Sequence, residues 1–341
     1  MRSLNLKSIL KGAGFAVLAI AVVLAIGALA LFRADIPLDQ LQAKYQAPGD
    51  NYMEMPDGVM LHYRDEGPRD GRTLLLVHGF SASLIDWDAW AKPLATRYRV
   101  VRIDLPGHGL TSAPSNYQAS AEGYADLIDA FATRLRPTRF VLIGNSMGGG
   151  VAWKFAVRHP GWLEGLVLVD SGGWPRRARS SGGPIIFSLL RNPITRAVLR
   201  HIDIRPLIGD GLKSAFVDPA LVTPAMIDRY ADFARAPGHR DILLSAQNGH
   251  PSGQAIAELA RIKIPTLVIH GEKDHLIPVD DGRGFARTIP GAVLITYPNV
   301  GHVPMEQIPE RSANDLDLWL RQKVWPTPPG ALDPGPVAPR K

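Results

Sequence analysis

Short apolar runs recur along the middle of the chain, each closed by a turn residue and separated from the next by a helix-length segment. The runs cover 73–78, 98–103, 140–143, 166–169, 266–269 and 292–296; Gly79, Asp104, Gly144, Asp170, Gly271 and Pro298 follow or close them. A strand that is apolar at nearly every position, not at every second one, is buried on both faces, as in a parallel sheet covered by helices on each side. The intervening segments, about 85–96, 120–135, 147–158, 279–288 and 306–322, carry the amphipathic spacing of helices. This alternation predicts an α/β fold with a doubly wound, mostly parallel sheet. Residues 53–55 and 59–63, joined by Pro56-Asp57-Gly58, read as a leading antiparallel hairpin. A length of 341 residues accommodates one such domain of roughly 250–300 residues with appendages.

One stretch breaks the rhythm. From Trp174 to Ile264 no strand signal occurs; helical segments stand around 184–201, 224–236 and 252–262, split by Pro193, Pro206, Pro219 and Pro237. About ninety residues between two core strands exceed any ordinary connection. The division expected is therefore a core of 51–173 and 265–323 with a helical cap at 174–264 over the site.

The ends read differently. Residues 12–32 are 21 consecutive uncharged, mostly apolar positions. As a helix they would extend about 31 Å, the thickness of a bilayer core. Arg2, Lys7 and Lys11 precede them, which predicts a cytoplasmic N-terminus at 1–11, a transmembrane signal anchor at 12–32 and the catalytic domain beyond the membrane. The rival reading is a cleaved signal peptide with Ala28-Leu29-Ala30 as the cleavage site. Residues 33–50 read as a linker, with a short amphipathic turn within it. The stretch 324–341, with six prolines, reads as a disordered tail.

The formal net charge of +6 does not point to nucleic acid. Residues 1–34 hold four cations and no acid, and 324–341 add one more net positive charge, so the body is almost neutral. The absence of cysteine excludes disulfides, thiolate metal sites and thiol catalysis.

The chemistry centres on Gly144-Asn145-Ser146-Met147-Gly148, a G-x-S-x-G string placed directly after a strand and before a helix. A sharp turn there lifts the serine hydroxyl above the sheet, and side chains two residues to either side would collide, hence the glycines. In this context the chain resembles the α/β-hydrolase superfamily over about 50–322. His78-Gly79-Phe80 resembles the family's oxyanion loop, and Asp104-Leu105-Pro106-Gly107-His108-Gly109 its loop after the fourth strand. His270-Gly271-Glu272-Lys273-Asp274-His275-Leu276-Ile277-Pro278 resembles the acid loop, with Glu272 and Asp170 as rivals to Asp274. Gly301-His302 matches the histidine loop. The resemblance implies an eight-stranded sheet and a Ser146, Asp274, His302 triad. It also implies an oxyanion hole formed by the N–H groups of Phe80 and Met147, and no cofactor or metal.

The resemblance leaves several functions open. The first is a membrane-anchored serine esterase or lipase acting on a small-molecule or lipid ester. A carbon–carbon hydrolase of meta-cleavage products has a similar nucleophile string, but its histidine is typically followed by tryptophan, where this chain has Val303. A cofactor-free perhydrolase or haloperoxidase shares the triad, and a non-catalytic binding module is the remaining class. Serine at position 146 excludes the aspartate-dependent epoxide hydrolases and dehalogenases.

Overall fold

The computed structural model describes residues 32–175, 192–245 and 254–326, together with Phe15, Leu18, Ala19, Val22 and Gly27. Eight strands form one sheet. They are β1 (Asp50–Glu54), β2 (Met60–Glu66), β3 (Thr73–Val77), β4 (Arg99–Ile103), β5 (Phe140–Asn145), β6 (Leu163–Val169), β7 (Thr266–Gly271) and β8 (Val293–Tyr297). Their order is β1-β2-β4-β3-β5-β6-β7-β8. The leading hairpin pairs Met53 with Leu61, and β2 runs antiparallel to β4; every later pairing is parallel. The expected α/β-hydrolase architecture is present.

Every residue of β3, β5 and β7 is buried, as continuous apolar runs require. Alternate positions feed two cores. Leu75, Val77, Leu142, Leu168 and Val268 face one side, against Phe131 and Trp153. Leu74, Leu76, Val141, Ile143 and Leu267 face the other, against Trp87, Trp90 and Trp319.

The helices follow in chain order as α1 (Leu38–Tyr45), α2 (Asp88–Leu94), α3 (Ala121–Leu135), α4 (Met147–Arg158), α5 (Pro193–Leu199), α6 (Arg205–Ala215) and α7 (Pro224–Ala234). After these come α8 (His239–Ser245), α9 (Gln254–Leu259), α10 (Val279–Thr288), α11 (Pro304–Gln307) and α12 (Pro309–Trp319). In α3 the apolar residues Tyr124, Leu127, Ile128 and Phe131 repeat at helical spacing and are buried. Ser120 caps it by accepting the Gly123 N–H at 3.0 Å, and a left-handed Arg136 ahead of Pro137 ends it.

Between β6 and β7 the described elements are helices, with α6 and α8 beyond the expected segments. Pro206 lies in the first turn of α6, where the missing N–H has no intrahelical partner to lose. A proline that reads as a break is here a start. The single helix expected over 306–322 is divided at Ile308, whose φ of −136° and ψ of 55° are not helical, ahead of Pro309, the first residue of α12.

The ends correct the sequence reading. Most of 12–32 lies outside the described residues, as do 1–11 and 327–341. A membrane span needs an unbroken apolar helix of about 20 residues. Among the described residues no helix is long and apolar enough to cross a membrane. That overturns the expected single-pass location with an exported domain. Phe32, expected to close the span, instead pairs with Ile202 in an antiparallel bridge and stacks on His201. The presumed linker is ordered against the inserted helices: Ile36 N–H donates to Arg235 O at 2.8 Å, and Lys44 and Tyr45 both donate to Asp232, at 2.7 and 2.8 Å. At the other end Trp325, placed in the tail by its neighbouring prolines, is 7% exposed. Its indole N–H donates to Glu164 at 2.9 Å and its ring packs on Tyr98.

A buried charge cluster ties the hairpin to the sheet. His62, 2% exposed, holds Asp104 on Nδ1 at 2.7 Å and lies 3.0 Å from Asp50 through Nε2. Burial alone would depress its pKa, but the two carboxylates outweigh it and push it up to about 9. A raised folded-state pKa contributes stability that is complete below the ordinary histidine value and lost as pH rises through about 9. The shift corresponds to about 3 kcal/mol. Unfolding by urea should therefore require less denaturant at pH 9.5 than at pH 6.5, and His62→Gln should remove most of that difference.

Candidate active site

Ser146 stands between the last residue of β5 and the first of α4, with φ 54° and ψ −115°. A side chain in that region stores about 1–3 kcal/mol of strain. The flanking glycines are sterically required: a Cβ on Gly144 would lie 2.1 Å from Gly148 O, and one on Gly148 would lie 2.3 Å from Val77 O. The turn is held by its backbone. Ser146 N–H donates to Val169 O at 3.0 Å, and Ser146 O accepts from Gly150 N–H at 3.1 Å and Gly172 N–H at 2.8 Å. The N-terminus of α4 adds a positive electrostatic potential at the hydroxyl.

His302 comes from the loop between β8 and α11. Its Nδ1–H donates to Asp274 Oδ2 at 2.7 Å. The loop is fixed on three sides. His302 N–H donates to Ala215 O at 2.7 Å, Gln307 Oε1 accepts the Gly301 N–H at 2.7 Å, and the Asn145 amide donates to His302 O at 3.1 Å and to Val169 O at 3.2 Å. Sequence reading singled out neither Ala215 nor Asn145 for this. Asn145 lay inside the nucleophile string, but only the fold shows that it reaches the histidine loop.

The other oxygen of Asp274 accepts the N–H groups of Leu276 at 2.7 Å and Ile277 at 2.9 Å. Burial raises the Asp274 carboxyl, but the His302 charge and hydrogen bond and the Ile277 N–H hold it below the ordinary value. Asp170 lies directly behind. It is fully buried, accepts the Gly271 N–H at 2.9 Å, and is pushed well above the carboxylate range by burial and by the Asp274 charge. The two adjoining carboxyls are thus pushed in opposite directions, Asp274 toward its charged form facing the histidine and Asp170 toward its neutral form behind it. Glu272, the other rival, points away and accepts the Thr296 hydroxyl at 2.7 Å. Asp170, Asp274 and His302 have ligand-type atoms within 4.8 Å of one another. Within that group the hydrogen bond between Asp274 and His302 already engages one carboxylate oxygen and the Nδ1 of the ring.

Ser146, His302 and Phe80 open on one cavity of about 170 Å³. Leu207, Ile208 and Leu212 of α6 and Leu243 and Leu244 of α8 form much of its apolar wall, with Leu276 and Val303 from the core. Met147 follows Ser146 as the first residue of α4, so its N–H is one of the unpaired donors of a helix start. The loop bearing Phe80 presses on Ser146: a Cβ on Gly79 would lie 3.2 Å from the Ser146 Cβ. A second hollow of about 480 Å³ between β2, β4 and α2 holds none of these residues. Two ion pairs line it, Arg102 with Glu66 at 2.5 Å and Arg64 with Asp88 at 3.3 Å.

Residues 74–315 match the sequence model of the Alpha/beta hydrolase family. A bifunctional esterase/perhydrolase of Acinetobacter calcoaceticus is 28% identical over 281 residues, covering 79% of this chain and 99% of that protein. A 2-hydroxymuconate semialdehyde hydrolase of Pseudomonas sp. (strain CF600) is 29% identical over 254 residues, covering 72% of this chain and 84% of its own. Among solved structures, a bacterial membrane phospholipase A superposes with a TM-score of 0.68 at 27% identity, covering 93% of this chain and 99% of that one.

Proposed function

The chain belongs to the alpha/beta hydrolase family, and on that premise we propose that it is a serine hydrolase of carboxylic esters working through an acyl-enzyme. The observation that carries this reading is the 2.7 Å His302–Asp274 bond opening onto the same cavity as Ser146 at its strained turn. His302 Nε2 takes the hydroxyl proton as Ser146 Oγ attacks the ester carbonyl, and Asp274 stabilises the imidazolium that results. The N–H groups of Phe80 and Met147 receive the negative charge on the carbonyl oxygen. Collapse of the tetrahedral intermediate expels the alcohol, which takes the proton from His302. Water, deprotonated by His302, then releases the acid. The helices between β6 and β7 act as the cap that keeps the acyl group dry. The esterase relative and the phospholipase neighbour have the same reaction type in their names.

The test is turnover of p-nitrophenyl esters from acetate to palmitate by the full chain, with Ser146→Ala as control. A cavity of about 170 Å³ is close to the roughly 150 Å³ that accommodates a benzene-sized molecule, so butyrate should exceed palmitate in kcat/KM by about tenfold or more. A palmitate optimum would refute the short-chain assignment. Absence of ester turnover, with hydrolysis of a vinylogous 1,5-diketone, would replace the ester reading by the carbon–carbon cleavage that the nucleophile string also allows.

A further inference from the structure

Asp86 is a buried acid for which the reaction above has no use. It lies in a short turn, Leu84–Trp87, that continues the loop bearing Phe80. It is 3% exposed and borders the cavity. Both of its oxygens are taken by one helix of the insertion. The Tyr230 hydroxyl donates to Oδ2, and Arg229 Nη2 donates to Oδ1 at 3.2 Å, both from α7. The same turn is held from the core: Asp104 Oδ1 accepts the Leu84 N–H at 2.7 Å, and Ser83 Oγ accepts the Ile85 N–H at 3.4 Å. At its start, Gly79 packs on Ser146 and Asn145. Within eight residues the loop therefore runs from the nucleophile to the inserted helix.

A desolvated carboxylate is costly, and an apolar side chain of similar size would serve packing better. Glu306, also buried nearby, is pushed up to about 8 by burial and by the Asp86 charge; Asp86 is itself raised by burial, against the lowering pull of Arg229 and the Tyr230 hydroxyl.

We propose that Asp86 is a positioning residue that couples the cap to the oxyanion hole. Its bonds to Tyr230 and Arg229 set the Phe80 N–H at its working position only when α7 is seated on the core. The proposal rests on the reading of Phe80 as an oxyanion donor given above. Its consequence is that a group filling the cap pocket and displacing α7 alters kcat without touching the triad.

The experiment compares the wild-type chain with Asp86→Asn, Tyr230→Phe and the double variant on p-nitrophenyl butyrate. It records kcat, KM, thermal melting and inhibition by an alkyl trifluoromethyl ketone, which forms a tetrahedral oxyanion with the serine. Each single variant should lower kcat about 10- to 100-fold with KM changed less than about threefold, because misplacement by an ångström costs on that order. Affinity for the ketone should fall in step with kcat, as for a transition-state mimic, and the double variant should be no worse than Asp86→Asn alone. A rise in KM at constant kcat, ketone affinity that does not follow kcat, or effects that multiply in the double variant would overturn the proposal. Tyr230→Phe keeps the ring and decides the matter alone if Asp86→Asn does not fold. Ser146→Ala run alongside separates the two failures. Turnover surviving there sinks the serine mechanism itself. Turnover lost there but unchanged in Asp86→Asn and Tyr230→Phe sinks only the coupling.

Discussion

Replacing Ser146 with alanine is expected to cut ester hydrolysis by at least about a thousandfold, while the fold and its melting temperature stay as they are. Loss of a triad serine removes up to about 10⁶ in kcat in this type of mechanism. Residual turnover above about 1% would place the nucleophile elsewhere. The same position offers a stability test that does not depend on activity. Ser146 has φ 54° with a Cβ attached, whereas glycine tolerates that conformation. Ser146→Gly should be inactive yet melt higher than Ser146→Ala, by the equivalent of about 1 kcal/mol or more. A Gly variant that melts no higher would show that the turn is not strained in solution.

The second large effect separates two buried acids. Asp274→Asn should lower kcat by up to about 10⁴-fold, because an amide beside His302 Nδ1 favours the wrong tautomer and does not stabilise the imidazolium. Asp170→Asn should cost less than about tenfold. Burial and the Asp274 charge raise Asp170 well above the carboxylate range and so favour its neutral form, which an amide resembles in shape and charge. The two residues also differ in sign with pH. Asp274 is held below its ordinary value, so its contribution to stability is present at neutral pH and is lost as the pH falls through its folded-state pKa. Asp170 works in the opposite direction: ionising it at high pH would place two anions side by side. A severe loss in Asp170→Asn with a mild one in Asp274→Asn would reverse the assignment of the acid.

Some residues announced themselves through spacing. Gly144, Ser146 and Gly148 are readable because a steep strand-to-helix turn leaves no space for other side chains, and the clashes of 2.1 and 2.3 Å are that constraint in numbers. The continuous apolar strands were readable because burial on both faces abolishes alternation. Prolines misled twice. Pro206 looked like a helix breaker and is a helix start, and the prolines after Val324 concealed a tryptophan packed on the core. The apolar stretch read as a span was taken to close at Phe32, which instead pairs with Ile202 of the folded body, and among the described residues no helix is long and apolar enough to cross a membrane.

By itself the sequence determined the α/β alternation, the position of the serine turn and the loops from which an acid and a histidine come, because each depends on contacts between neighbours in the chain. The tertiary structure alone decided which of three acids meets the histidine, that Asp170 is buried behind Asp274, and that Asp86 reaches Arg229 and Tyr230 across more than 140 residues. Those outcomes turn on burial and on distances of a few ångströms between distant segments, and a linear pattern encodes neither.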